Sequence, residues 1–77
     1  MSMLDKQDKI SVPREVLDGL EAVRASGLIN MLDRPGVARL ARLMEFPEAA
    51  EWVENHPTAY ATGVFRGFKA EEETEKS

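Results

Sequence analysis

The sequence predicts an all-α fold: a compact single domain of about four short helices. Three observations carry this expectation. Apolar residues recur at helical spacing through the middle of the chain, and no segment alternates with period two over strand length. Proline, glycine and aspartate stand where helices should start and stop. Between Gly27 and Gly36, a helix stop, an apolar link and a helix start follow one another directly.

The first predicted helix runs from Pro13 to about Ser26, because proline suits a first turn that has no use for its missing N–H. Val16, Leu20 and Val23 share its apolar side, with Leu17 at the edge, and Gly27 is placed for a left-handed C-cap. Leu28 to Leu32 should cross the core as an irregular apolar link, in which Asn30 can bond its neighbouring backbone. Asp33 is a good N-cap for a second helix from about Arg34 to Met44, with Val37, Leu40, Ala41 and Met44 on one face. Phe46-Pro47 interrupts the chain. A third helix then spans Pro47 to about Asn55, turning Ala49, Trp52 and Val53 inward, with His56 continuing that face. Glu51 and Glu54 point outward and Glu48 lies on the flank. Pro57 forces another break, since the residue before a proline is pushed out of helical geometry. With Thr58 as cap, the fourth helix runs from about Ala59 to Phe68. Its apolar face is Ala61, Val64, Phe65 and Phe68, and Tyr60 sits at the margin.

Composition bounds the organisation. Residues 1–9 and 70–77 are polar and charged, and read as a disordered N-terminal tail and an acidic disordered C-terminal tail around a helical domain at 10–69. A domain of that size is close to the lower limit for unaided folding. The net charge of the 77 residues is −4. Glu71, Glu72, Glu73 and Glu75 supply four of the fourteen acids and Lys76 one of the ten bases, so the remainder is close to neutral. Such a body has no general attraction for nucleic acid. There are no cysteines, hence no disulfides or thiolate metal sites, and the single His56 cannot make a metal site alone. No apolar run is long enough for a signal peptide or a membrane span. The expected setting is the cytoplasm, with no cofactor and no metal.

The segments Val23-Arg24-Ala25-Ser26-Gly27, Asn30-Met31-Leu32-Asp33, Val37-Ala38-Arg39-Leu40-Ala41 and Met44-Glu45-Phe46 follow one another in a distinctive order, with Trp52, Asn55 and Tyr60 beyond them. In this the chain resembles a family of small phage and prophage proteins known only as a domain of unknown function. That family's pattern is isoleucine-arginine-x-serine/threonine-glycine, asparagine-methionine-phenylalanine-aspartate, a helix, methionine-glycine-phenylalanine, and an aromatic-rich helix ending near asparagine and tyrosine. The likeness covers about residues 13–68. Three positions depart from it: Leu32 replaces the phenylalanine, Glu45 replaces the glycine of the turn, and Pro47 follows Phe46. The resemblance implies a phage or prophage origin and an all-helical fold, and no catalytic residues.

Several features could carry function. Arg34, Arg39 and Arg42 form the only basic cluster, with no acid between Arg34 and Met44. Arg39 and Arg42 are i,i+3 neighbours on the face away from the core. They either pair with Glu45 or the third helix, or they form a patch for an acidic partner or a nucleic-acid backbone, a use suited to the planar guanidinium fork, which binds carboxylate or phosphate. Tyr60 and Phe68 are the aromatic residues expected to be exposed, while Trp52 and Phe65 are expected in the core. Gly63 and Gly67 lie four apart, and each costs a helix about 0.8–1 kcal/mol relative to alanine. Close packing against that face, within the fold or in a homodimer, would offset this. The second and third helices also permit a helix-turn-helix reading, but the third carries Glu48, Glu51 and Glu54 where a DNA-reading helix needs donors. The leading expectation is a non-enzymatic adaptor or inhibitor that binds another protein. The alternatives are a small nucleic-acid-binding regulator and a structural homodimer through the fourth helix.

Overall fold

The computed structural model describes residues 9–71 and orders six elements along the chain. These are β1 (Ile10–Val12), α1 (Arg14–Ser26), α2 (Arg34–Leu43), α3 (Pro47–Asn55), α4 (Pro57–Arg66) and β2 (Phe68–Ala70). The four helices make the expected all-α domain. The two strands are an addition to it.

α1 begins one residue later than expected, with Pro13 as its cap and the Pro13 carbonyl accepting from the Val16 and Leu17 amides at 3.0 Å. Val16, Leu17, Leu20 and Val23 are buried, and Gly27 closes the helix in the left-handed region at φ 67°. The following link does not cross the core. Only Ile29 and Met31 pack inward, while Leu28 and Leu32 are 74% and 57% exposed. The link stays at the surface because local polar bonds hold it there. Asn30 Oδ1 accepts from the Leu32 amide at 2.8 Å, and the Asn30 carbonyl accepts from the Asp33 amide at 2.9 Å. Asp33 caps α2 as its sequence position requires, accepting from the Gly36 amide at 3.2 Å.

The α2–α3 turn holds a residue in an unusual conformation. The Phe46 amide bonds the Ala41 carbonyl at 2.8 Å and the Glu45 amide bonds the Arg42 carbonyl at 3.0 Å, the two bonds of a Schellman motif. Its left-handed position, normally glycine, is Glu45 at φ 70°. The turn geometry is therefore kept without the glycine.

α3 buries Ala49, Ala50 and Val53 against α1 and α2. A Cβ on Gly19 of α1 would lie 2.5 Å from Ala49 Cβ and 2.8 Å from Phe46 Cβ, so only glycine allows this approach. Leu40, Met44 and Trp52 are half-buried against the core rather than within it. His56 does not continue inward. It is exposed, stacks on Trp52 at 4.7 Å between ring centroids, and places Nδ1 2.9 Å from the Trp52 carbonyl.

α4 starts at Pro57, two residues earlier than expected, because the proline takes a first-turn position instead of preceding the helix. The helix stops at Arg66, since Gly67 adopts φ 108° and ψ 160°. Phe68 is thus released into β2, which pairs in parallel with β1 in the register Ile10–Phe68, Ser11–Lys69 and Val12–Ala70. Val12 and Ala70 are buried, whereas Ser11 and Lys69 face outward. The folded domain accordingly includes Ala70, which the sequence assigned to the tail. The other tail expectations, on 1–8 and 72–77, lie outside the described residues.

Candidate protein-interaction site

The helical repeat of α2 separates two faces. Val37, Ala38 and Ala41 turn inward, so Arg39, Arg42 and Leu43 must turn outward, and all three are exposed. Arg34, Pro35, Arg39, Arg42 and Leu43 surround a surface hollow of about 370 Å³ with Glu54 of α3 at its edge. Arg42 grips Glu54 through both terminal guanidinium nitrogens, with Nη1 donating to Oε2 at 2.7 Å and Nη2 to Oε1 at 3.0 Å. The hydrogen bonds to Arg42 hold the Glu54 carboxyl below its ordinary range, and those to Glu54 raise the guanidinium further. Arg34 leans on the end of α3, with Nη1 3.4 Å from the Val53 and Glu54 carbonyls. Arg39 has no ion-pair partner among the described residues. Leu43, one turn beyond Arg39, is 74% exposed.

The three arginines predicted as a cluster are therefore brought together, but they are not equivalent. One is committed to a carboxylate of α3, one rests on carbonyls of the same helix, and one is available. Of the two expected pairings, the one with α3 is present, through Arg42 and Glu54, and among the described residues no ion pair joins the cluster to Glu45. A hollow with three cations and one anion attracts acidic groups, and Leu43 places exposed apolar surface beside them.

Tyr60 and Phe68 do not form an exposed pair. Tyr60 is 2% exposed, and its hydroxyl donates to the Met31 carbonyl at 2.5 Å, which ties α4 to the α1–α2 link. Burial, helped by the negative charge of Asp33, pushes its pKa up to about 12. Phe68 is half-buried, 5.9 Å from the Tyr60 ring and edge-on to Trp52 at 6.0 Å. Phe65, assigned to the core, is 76% exposed. All three differences have one cause. Reading α4 through Phe68 put Val64, Phe65 and Phe68 on one face, but the chain leaves the helix at Gly67 and folds Phe68 back. The buried face is then Tyr60, Gly63 and, in part, Val64.

Gly63 and Gly67 do not share a helix face, because Gly67 lies outside the helix. A Cβ on Gly63 would collide with the edge of the Phe68 ring, so the packing that offsets this glycine comes from within the chain. Among the described residues no group of three or more His, Asp or Glu side chains converges on a metal position, and no helix is long and apolar enough to cross a membrane.

Residues 14–67 match the family described as a domain of unknown function, DUF5049. The chain belongs to that family. The matched segment runs from the first residue of α1 to the glycine that ends α4, so the family's shared unit is the four-helix body. Comparisons with curated proteins and with solved structures gave no match.

Proposed function

We propose that this DUF5049 chain is a non-enzymatic binding protein, a small cytoplasmic adaptor or inhibitor of the kind phages and prophages encode. It docks a protein partner on the outer face of α2. The observation that carries this reading is the hollow in which Arg34, Arg39 and Arg42 surround a single carboxylate while Leu43 stands exposed at the rim. Isolated exposed leucines are common and need no explanation. Here the leucine stands beside guanidinium groups, and arginine is among the residues enriched at the energetic centres of interfaces. The grip of Arg42 on Glu54 is the grip such a face would take on a partner's carboxylate. The acid-rich outer surface of α3 favours a protein over nucleic acid, since Glu48 and Glu51 would repel phosphates.

The test is affinity capture with the tagged full chain, beside an Arg39→Glu/Arg42→Glu variant and a Leu43→Ser variant. Both variants should lose the captured protein while the thermal midpoint barely moves, because exposed ion pairs contribute about 0–1 kcal/mol. Equal capture by all three proteins, or capture of nucleic acid alone, would overturn the reading.

A further inference from the structure

A second hollow, of about 320 Å³, lies between α1 and the α4–β2 segment. It shares no lining residue with the arginine hollow. Its apolar wall is made by Leu17, Leu20, Met31, Val64 and Phe68. Phe65 stands on the same rim and is 76% exposed, so the largest exposed apolar side chain of the described fold borders an apolar hollow it does not fill. An apolar cavity of about 150 Å³ already accepts benzene, so this hollow has room for a phenyl ring. Three charged residues also line it: Glu21 and Arg24, one turn apart on α1, and Arg66 of α4, which is engaged in an interaction of its own. Glu21 and Arg24 make no ion pair among the described residues.

A knob, a hole and a pair of opposite charges on one face make that face complementary to itself. We infer that a second copy of this chain occupies the hollow: the protein forms a two-fold dimer in which Phe65 of each copy enters the α1–α4 hollow of the other. A two-fold axis makes every contact occur twice and in reverse, so Glu21 of one copy meets Arg24 of its partner on both sides. The charge pair fits a like copy, which carries the mirror arrangement by symmetry. The contact centres on Phe65 and α1 and not on a shared Gly63–Gly67 helix face, since Gly67 lies outside the helix and Phe68 packs against Gly63. The dimer leaves both α2 faces free, so the assembly is bivalent, and its existence is independent of the α2 reading.

Sedimentation velocity on the full chain across a concentration series tests the inference. The natural sequence should be a dimer. Phe65→Ser should weaken it at least about thirtyfold, as loss of an aromatic interface centre does, while the monomer keeps its secondary structure by circular dichroism. Glu21→Arg and Arg24→Glu should each weaken the dimer about tenfold by placing like charges together, and the double exchange should restore it. Arg39→Glu/Arg42→Glu should leave the dimer intact. A chain that stays monomeric at all concentrations would overturn the inference. So would a dimer indifferent to Phe65→Ser, or a chain that dimerises only after removal of residues 1–8, which would make that segment the occupant. Failure of the double exchange to rescue would overturn the two-fold arrangement.

Discussion

The two ends of the helical body are held by opposite means. α3 lies on α1 through very small residues, with Gly19 facing Ala49 and Phe46 and no room for another methyl. α4 is held by large side chains instead: its own Tyr60 points into the core, and Phe68 is folded over Gly63. The first contact spreads its energy over many backbone-close atoms. The second concentrates it in two aromatic residues and one hydrogen bond. The lesson is about tolerance. A close helix pair resists added volume, whereas an aromatic clasp resists removed volume, and only the second leaves an open hollow beside it.

The largest effect should come from emptying the clasp. Tyr60→Ala removes a 2%-exposed aromatic side chain and its bond to Met31, and should cost about 3–5 kcal/mol, the range for large aromatic truncations. Urea unfolding measures this, and a loss under about 1 kcal/mol would show that α4 is held elsewhere. Adding volume to the other contact comes next. Helix propensity alone favours Gly19→Ala by about 0.8–1 kcal/mol. Against that, the new methyl must force α1 and α3 apart, with overpacking costs of about 1–3 kcal/mol. A net destabilisation is expected, and a gain would mean that the helices separate freely.

A milder change isolates the hydrogen bond of the clasp. Tyr60→Phe keeps the ring and should cost about 1 kcal/mol. The same hydroxyl makes stability depend on alkaline pH. Its folded-state pKa is raised to about 12, above the value near 10 of an unfolded tyrosine. The folded chain thus holds the proton more tightly. The associated stabilisation is complete below about pH 10 and is lost as pH rises through about 12. Tyr60 is the only tyrosine, so tyrosinate absorbance reports it alone. Unfolding midpoints should decline across this window in the natural sequence and not in Tyr60→Phe.

The contrast also explains what was legible in the sequence. Helix starts and stops at Asp33, Pro47 and Gly27 follow from local hydrogen-bond and dihedral requirements, and all were readable. The inward face of α1 was readable too, because one uninterrupted period covers it, and that of α2 in part: Val37 and Ala41 are buried, but Leu40 and Met44 are half-buried and Ala38 is buried in addition. β1 and β2 were not. Three residues are too few to display alternation, and each strand finds its partner only at the other end of the chain. The misplaced exposure of Tyr60, Phe65 and Phe68 follows from that omission, since the return of Phe68 sets which side of α4 is covered. Gly19 gave no signal because close approach between helices is a property of the pair. The clustering of the arginines was visible from their spacing, but the unequal commitment of Arg42 and Arg39 required the position of Glu54.

The smallest expected effect is a gain, at the turn that delivers α3 to α1. Glu45 occupies the left-handed position of the Schellman motif, at φ 70°. A residue with a Cβ loses about 1–2 kcal/mol there. Glycine escapes that cost but gives back about 0.5–1 kcal/mol through the greater freedom of its unfolded chain. A carboxylate at a helix C-terminus is also opposed by the helix dipole, by about 0.3–1 kcal/mol. Glu45→Gly should therefore stabilise the domain by about 1 kcal/mol, which for a domain this small raises the thermal midpoint by about 4–8 °C. Glu45→Ala separates the causes, because it removes the charge and keeps the Cβ. It should recover only the dipole part. Gly27→Ala, at φ 67° after α1, supplies the opposite sign and should lower the midpoint. If Glu45→Gly melted lower than the natural sequence, the glutamate side chain would be holding the turn, and the close seating of α3 on α1 would depend on that contact as well as on Gly19.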